Sequence, residues 1–257
     1  GVATISNGAE SVGPKYGATH RKVLRAAGVN VDLSPEEASL QLANKQVGWA
    51  YVDQRVACPK LHDLVSLRTK IVKRPCLTTL EVLLGPVRGT KRTHLVTGYV
   101  HKPYPPIYTA LARSSGYASA IIVRGVEGGV IPSLNQPSKL FSYRDKESDT
   151  ETRLDPADYA IKSPDRAVPL PENLPPQEAS DEIKGPIDAD ALSQAAATAG
   201  LAALAGEAGP VRDSLVYGAA LCLCRLGRCP DPASAAETVR QVLDTGHAAR
   251  RLEAAVQ

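Results

Sequence analysis

Methionine is missing from this sequence of 257 residues, and phenylalanine and tryptophan occur once each. A chain without an initiating methionine is expected to be truncated or processed. Long apolar runs are missing too. The longest lies within Ser214 to Cys224, well short of the ~20 residues a helix needs to cross a bilayer, so a membrane-spanning role is excluded. No secretory signal is visible at Gly1, which reads as part of a buried strand from Gly1 to Ser6. Cysteine is sparse. Five thiols at scattered spacings (Cys58, Cys76, Cys222, Cys224, Cys229) do not make a disulfide framework and read as reduced groups in a cytoplasmic protein. Cys224 and Cys229, with no histidine nearby, make a poor zinc site. Neither sign of charge dominates, since the net value is +3.

The distribution of charge says more than its sum. From Arg68 to Lys102 there are eight basic residues against one acid, Glu81, whereas from Arg144 to Asp190 there are six basic residues against thirteen acids. A basic surface of this kind attracts phosphates or nucleic acid, unless it is only an unevenly charged solvated face.

Periodicity and end signals give the elements. Gly17 to Gly28 predicts a helix closed by glycine. Ser34-Pro35-Glu36-Glu37 predicts a helix start, with a capping hydroxyl, a proline in the first turn and acids at the positive end of the dipole. Strands are expected at Val47 to Val52, Thr93 to Val100 and Ala120 to Arg124, and more weakly at Lys139 to Tyr143 and Tyr159 to Lys162. Helices are expected at Pro59 to Val72, Thr78 to Leu84 and Pro105 to Ser115, then at Asp190 to Leu204, Pro210 to Gly227, Asp231 to Thr245 and His247 to Val256. Trp49 reads as core. The strand–helix alternation predicts an α/β fold, with a parallel or mixed central sheet flanked by helices and a helical C-terminal region. Residues 1–161 are expected to form the core. A proline-rich acidic connector follows at 162–189, and residues 190–257 supply helices that pack on the same domain.

Several motifs appear in a telling order: "AAGVNVDLSPEEA" (Ala26 to Ala38), Pro59 with Arg68, "LLGP" (Leu83 to Pro86), "VRGVEGG" (Val123 to Gly129), "GEAGPVRDSLVYGAAL" (Gly206 to Leu221) and "DTGHAARRLE" (Asp244 to Glu253). Together they resemble anthranilate phosphoribosyltransferase and its glycosyl transferase family 3 relatives, which share a nucleoside phosphorylase-type fold; the chain looks like a divergent paralogue. The resemblance implies pentosyl transfer from a phosphorylated ribose donor, a homodimer, and a magnesium ion if the chain is active. It also implies a helical N-terminal subdomain and a glycine-rich diphosphate loop ahead of Gly1, which these 257 residues do not contain.

The resemblance assigns Gly8 and Lys15 to a ribose-phosphate loop, Arg68 to the acceptor, and Gly125 and Glu127 to the metal–diphosphate turn. Three departures accompany it. Asn7, Gly8 and Lys15 stand in the first loop without the family's His and Arg. The segment before "LLGP" is longer and lacks an asparagine. The family's Asp-Glu metal pair falls on Val130 and Ile131. Two hydrocarbon side chains cannot coordinate a hard cation.

Residue chemistry adds further candidates. Arg68 can grip a carboxylate or phosphate bidentately, or sit on a helix surface. His101, Lys102 and Arg124 follow strand ends, where open α/β sheets bind ligands. His101-Lys102-Pro103-Tyr104 also reads as a proline-fixed turn, and Glu127 reads as a water-mediated metal contact or a partner of Arg124.

Two functions remain open from the sequence. One is a phosphoribosyl-type transferase with an altered metal site, acting on an anionic small molecule such as a phosphorylated sugar. The other is an inactive relative binding nucleic acid or another polyanion through Arg74, Arg88, Lys91, Arg92 and Lys102.

Overall fold

Helix starts follow their capping chemistry. In the computed structural model, Ser34 accepts from the Glu37 N–H while the Glu37 carboxylate accepts from the Ser34 N–H, a reciprocal capping box. Asp231 likewise accepts from the Ser234 N–H. The structure describes residues 2–11, 17–71, 76–178 and 185–256. Among these, the order is β1 (Thr4–Gly8), α1 (His20–Ala26), α2 (Pro35–Ala43), β2 (Trp49–Asp53), α3 (Gln54–Ala57), α4 (Pro59–His62), α5 (Val65–Lys70) and α6 (Leu77–Val82). Then come β3 (His94–Gly98), α7 (Tyr104–Ser114), β4 (Ser119–Val123), β5 (Ser138–Arg144), β6 (Thr150–Leu154), α8 (Ala189–Leu204), α9 (Pro210–Arg225), α10 (Pro232–Asp244) and α11 (His247–Val256). Short 3-10 turns occur at Val126–Gly128 and Pro156–Tyr159.

The fold is mixed α/β, as expected, but the strands form two sheets. β1 and β2 pair in parallel, and β3-β4-β5-β6 form a second sheet in which only β3 and β4 are parallel. The chain divides into two compact units, residues 1–87 with 170–202 and 248–257, and residues 88–169 with 203–247. The boundary at Val87 falls inside the 1–161 segment that the sequence treats as one core, and the C-terminal helices are shared between the units.

In the first unit, α2 covers β2, and Leu33, Ala38, Ala50 and Val52 form a core joined by Ile5, Leu42, Ala57 and Val87. In the second, β4 is buried along its whole length, as its unbroken apolar run requires, and α7 packs on β4 and β5. α9 and α10 pack together, tied by Arg212, which donates to Asp244 at 2.6 Å and to the Gly206 carbonyl at 2.8 Å. The "GEAGPVRDSLVYGAAL" and "DTGHAARRLE" motifs thus meet in one ion pair.

Several expectations are corrected. The first strand starts at Thr4 rather than Gly1 and is only partly buried. The helix expected over Pro59 to Val72 breaks at Asp63 and Leu64, and the apolar stripe beyond the break is not covered: Leu67 is 50% and Ile71 41% exposed, and Val72 lies outside the described residues. Tyr159 to Lys162 is no strand. Asp155 caps a 3-10 turn there, and the last strand is the polar Thr150–Leu154. Trp49 is half-buried and donates to the Arg251 carbonyl at 3.3 Å. No helix among the described residues is long and apolar enough to cross a membrane.

Candidate functional site

In the first unit the candidates surround the ends of β1 and β2. Gly8 closes β1 opposite Asp53, and a Cβ on it would stand 3.1 Å from the Tyr51 hydroxyl, so Gly8 admits that ring. Asn7 donates to the Glu81 carbonyl at 3.2 Å. Lys15 and Arg74 lie outside the described residues. Arg68 is neither a surface arginine nor an open clamp. It is 6% exposed, and its Nη1 is paired with the Glu81 carboxylate, which also accepts from Gln54 at 3.4 Å. The Arg68 Nε is buried without a hydrogen-bond partner among the described residues.

The sequence reading missed the strongest electrostatic feature of this unit. Arg21, 6% exposed, donates to Glu10 at 2.7 Å, to Asp32 at 2.8 Å, to the Val31 carbonyl at 2.7 Å and to the 2%-exposed Asp53 at 3.2 Å. Burial opposes the Arg21 charge, but the hydrogen bonds to Asp32 and Glu10 and the Asp53 charge outweigh it and raise its pKa. Burial also works against the Glu10 carboxylate, yet hydrogen bonds from Arg25 and Arg21 hold its pKa below the ordinary range. Tyr51 donates to Asp53 at 3.3 Å, and burial drives its pKa upward. One signal was available: an aspartate ending an apolar strand, in "WAYVD", marks a polar group at a strand end.

In the second unit the glycine turn after β4 explains its own composition. A Cβ on Gly125 would stand 1.8 Å from the Gly129 carbonyl oxygen, and one on Gly98 2.1 Å from the same oxygen. The turn folds back on itself and against the end of β3. Val126 donates to Ile131, Gly128 to Gly125 and Gly129 to Val126, at 2.9, 3.2 and 2.8 Å. The glycines therefore permit backbone–backbone approach, and these three N–H groups are committed within the turn. Glu127 holds left-handed backbone at φ 50°, is exposed, and pairs with Arg166 at 3.9 Å.

Magnesium would need oxygen ligands here. Val130 is exposed, and Ile131 packs its Cδ1 against Gly218 of α9, only 2.6 Å from where a Cβ would sit. Glu127 is left as the turn's carboxylate, and no group of three metal-ligating side chains occurs among the described residues. The residues present do not fit the ion.

The other basic candidates fall into two groups. Arg88 lies over the Tyr117 ring at 4.0 Å, and Arg92 pairs with Asp145 at 2.9 Å, so both are occupied; Lys91 is exposed. His101, Lys102 and Arg124 are exposed just past the C-terminal ends of the parallel strands β3 and β4, and none has an ion-pair partner among the described residues. Tyr104 donates its N–H to the His101 carbonyl at 3.1 Å, which is the proline-fixed turn, and its ring stands 6.2 Å from the His101 ring.

Comparison with known proteins agrees with the motifs. No family profile matches the chain. The anthranilate phosphoribosyltransferase of Desulforamulus reducens is 28% identical over 260 residues, covering 100% of this chain and 67% of the relative. That of Novosphingobium aromaticivorans is 25% identical, covering 96% of this chain and 66% of its own length. The crystal structure of the Thermus thermophilus enzyme superposes with a TM-score of 0.71 at 20% identity, over 100% of this chain and 68% of that one. The chain thus spans about two thirds of the length of these relatives. Along its whole length the chain is similar in sequence to anthranilate phosphoribosyltransferases, and it shares their fold.

Proposed function

We propose that the protein transfers a pentosyl group from a phosphorylated ribose donor to a small acceptor, holding the donor without a metal at the glycine turn. The carrying observation is the contrast among its cations. Among the described residues, Arg68, Arg88 and Arg92 are occupied by Glu81, Tyr117 and Asp145, whereas Lys102 and Arg124, with His101 beside them, have no ion-pair partner past the ends of β3 and β4. Strand ends of this kind are where open α/β sheets take ligands.

In such a transfer the bond between the anomeric carbon and the diphosphate oxygen breaks while an acceptor atom bonds to that carbon. Negative charge gathers on the departing phosphates, and fixed cations stabilise it most where water is excluded. Lys102 and Arg124 supply two such charges, with His101 as a further donor. Within the first unit, the resemblance gives Gly8 and Lys15, the latter outside the described residues, to a ribose-phosphate loop. On the acceptor side, Glu81 already neutralises Arg68. A carboxylate-bearing acceptor would therefore compete with a resident carboxylate, so the preferred acceptor is uncharged at that end and meets the unpartnered Nε.

The homodimer implied by the resemblance and the cytoplasmic setting read from the scattered thiols belong to this proposal. The polyanion reading is weaker, since Lys91 and Lys102 are the exposed uncommitted cations left to it among the described residues. Calorimetric titration with phosphoribosyl pyrophosphate, with and without magnesium, tests the transfer reading. Heat is expected in both conditions, and Arg124→Ala or Lys102→Ala should each weaken binding about tenfold, the worth of one charge-assisted hydrogen bond. Absence of heat at millimolar donor overturns it.

A further inference from the structure

The opposite end of the second unit's sheet holds a polar constellation that the transfer reading does not use. His94 opens β3, Ser119 opens β4 and Arg144 closes antiparallel β5. His94 pairs across with Ser119, and Ser119 with Arg144, so the three side chains stand in one row. Directly opposed residues of neighbouring strands share a face. The His94 Nδ1 and the Ser119 Oγ are 2.7 Å apart, and Ser119 is 6% exposed. Arg144 reaches past the end of α9, its Nη1 3.2 Å from where a Cβ on Gly227 would be, and Arg228 is the next residue.

Two candidate partners for these arginines are already taken. The last turn of α9 is closed by backbone donors: Leu226 to Cys222, Gly227 to Cys224 and Arg228 to Leu223, at 2.9, 2.9 and 2.8 Å. Arg144 is therefore not needed as a cap for those carbonyls. The nearby carboxylate, Asp145, is paired with Arg92. Among the described residues neither Arg144 nor Arg228 has an ion-pair partner. Burial, and then the charges of Arg92, Arg144 and Arg228, lower the pKa of His94 against the opposing pull of Asp145. Cations gathered around a half-buried imidazole repel one another unless an anion joins them.

We propose that His94, Ser119, Arg144 and Arg228 form a binding site for a phosphate oxyanion, either free phosphate or a phosphomonoester, at the N-terminal ends of β3 and β4. The guanidinium groups supply the charge. On binding, His94 takes a proton from solvent and donates through Nδ1 to Ser119, whose hydroxyl is then released to donate to the anion. The site lies at the other end of these strands from Lys102 and Arg124 and does not depend on the donor reading.

Histidine-ring NMR tests it, because the chain has five histidines and His94→Gln removes one resonance to assign it. With inorganic phosphate, the His94 resonance should shift saturably and its titration midpoint should rise. Arg228→Gln, at an exposed turn where folding is not at stake, should weaken the effect about tenfold, as should Arg144→Gln. Arg124→Ala should leave it unchanged, which separates this site from the donor site. Tighter saturation by ribose 5-phosphate identifies a phosphomonoester as the ligand, and equal saturation identifies phosphate itself. A resonance unmoved at ~10 mM phosphate, well above a millimolar Kd, overturns the proposal, as does a shift that survives both Arg144→Gln and Arg228→Gln.

Discussion

Arg21 shows how a single residue can organise a unit without belonging to its chemistry. Its removal would leave Asp53 buried without its arginine, so Arg21→Ala should cost roughly 3–5 kcal/mol in urea unfolding. Arg55→Ala, which breaks only an exposed pair with Asp32, should cost no more than about 1 kcal/mol. Equal costs would mean that burial is not what matters. His20 gives a pH signature of opposite character. Although the residue is exposed overall, desolvation of its ring, edge-on to Tyr51 at 5.6 Å, lowers its pKa, so the folded state binds its proton less readily than the unfolded chain. The stability it contributes is complete above ~6.5, the unfolded value, and is lost as pH falls through the lowered folded value. His20→Gln should therefore flatten the fall in urea midpoint between about pH 7.5 and pH 5.5. An unchanged slope would exclude this cause. Neither residue stood out in the sequence, because an isolated Arg or His carries no sign of what it meets in the fold.

Elements were legible where their ends carry local chemistry. The capping box at Ser34, the aspartate cap at Asp231 and the bounds of α11 could all be read from neighbouring residues. Legibility failed where an element is defined by what covers it. β6 has one buried residue, Leu154, and its polar sequence offers no alternation. α5 keeps a helical apolar stripe that stays exposed, and periodicity alone does not reveal this. The glycine turn was recognised, and its glycines have a packing reason of their own, since they let the turn fold closely against its own backbone. Gly125→Ala forces a Cβ into the Gly129 carbonyl and should cost about 1–3 kcal/mol or more by chemical denaturation. Gly116→Ala, left-handed but in open space, should cost only the backbone strain of ~1–2 kcal/mol. A Gly125 variant as stable as wild type would show that the turn has room to open.

At the scale of the whole molecule, the fold class could be read from the order of strands and helices, but the division into two units and two sheets could not. Pairing across a sheet joins distant residues, and nothing local in β2 or β3 says that they lie in different sheets. The same holds for charge. The basic stretch from Arg68 to Lys102 is real in sequence, yet Arg68, Arg88 and Arg92, its arginines among the described residues, are spent on Glu81, Tyr117 and Asp145. Retention on single-stranded DNA should therefore depend weakly on salt, with a log–log slope of about −1 to −2, as for one to three neutralised phosphates. A much steeper slope would revive the nucleic-acid reading.

The contact between Ile131 and Gly218 bears on any attempt to engineer a cation site into this turn. With a branched hydrocarbon seated in the notch opened by a glycine on α9, replacing Ile131 by an acid leaves a hollow and sets a charge beside it. Grafting an acidic pair here therefore calls for a matching change on α9, because the helix face is shaped to a hydrocarbon.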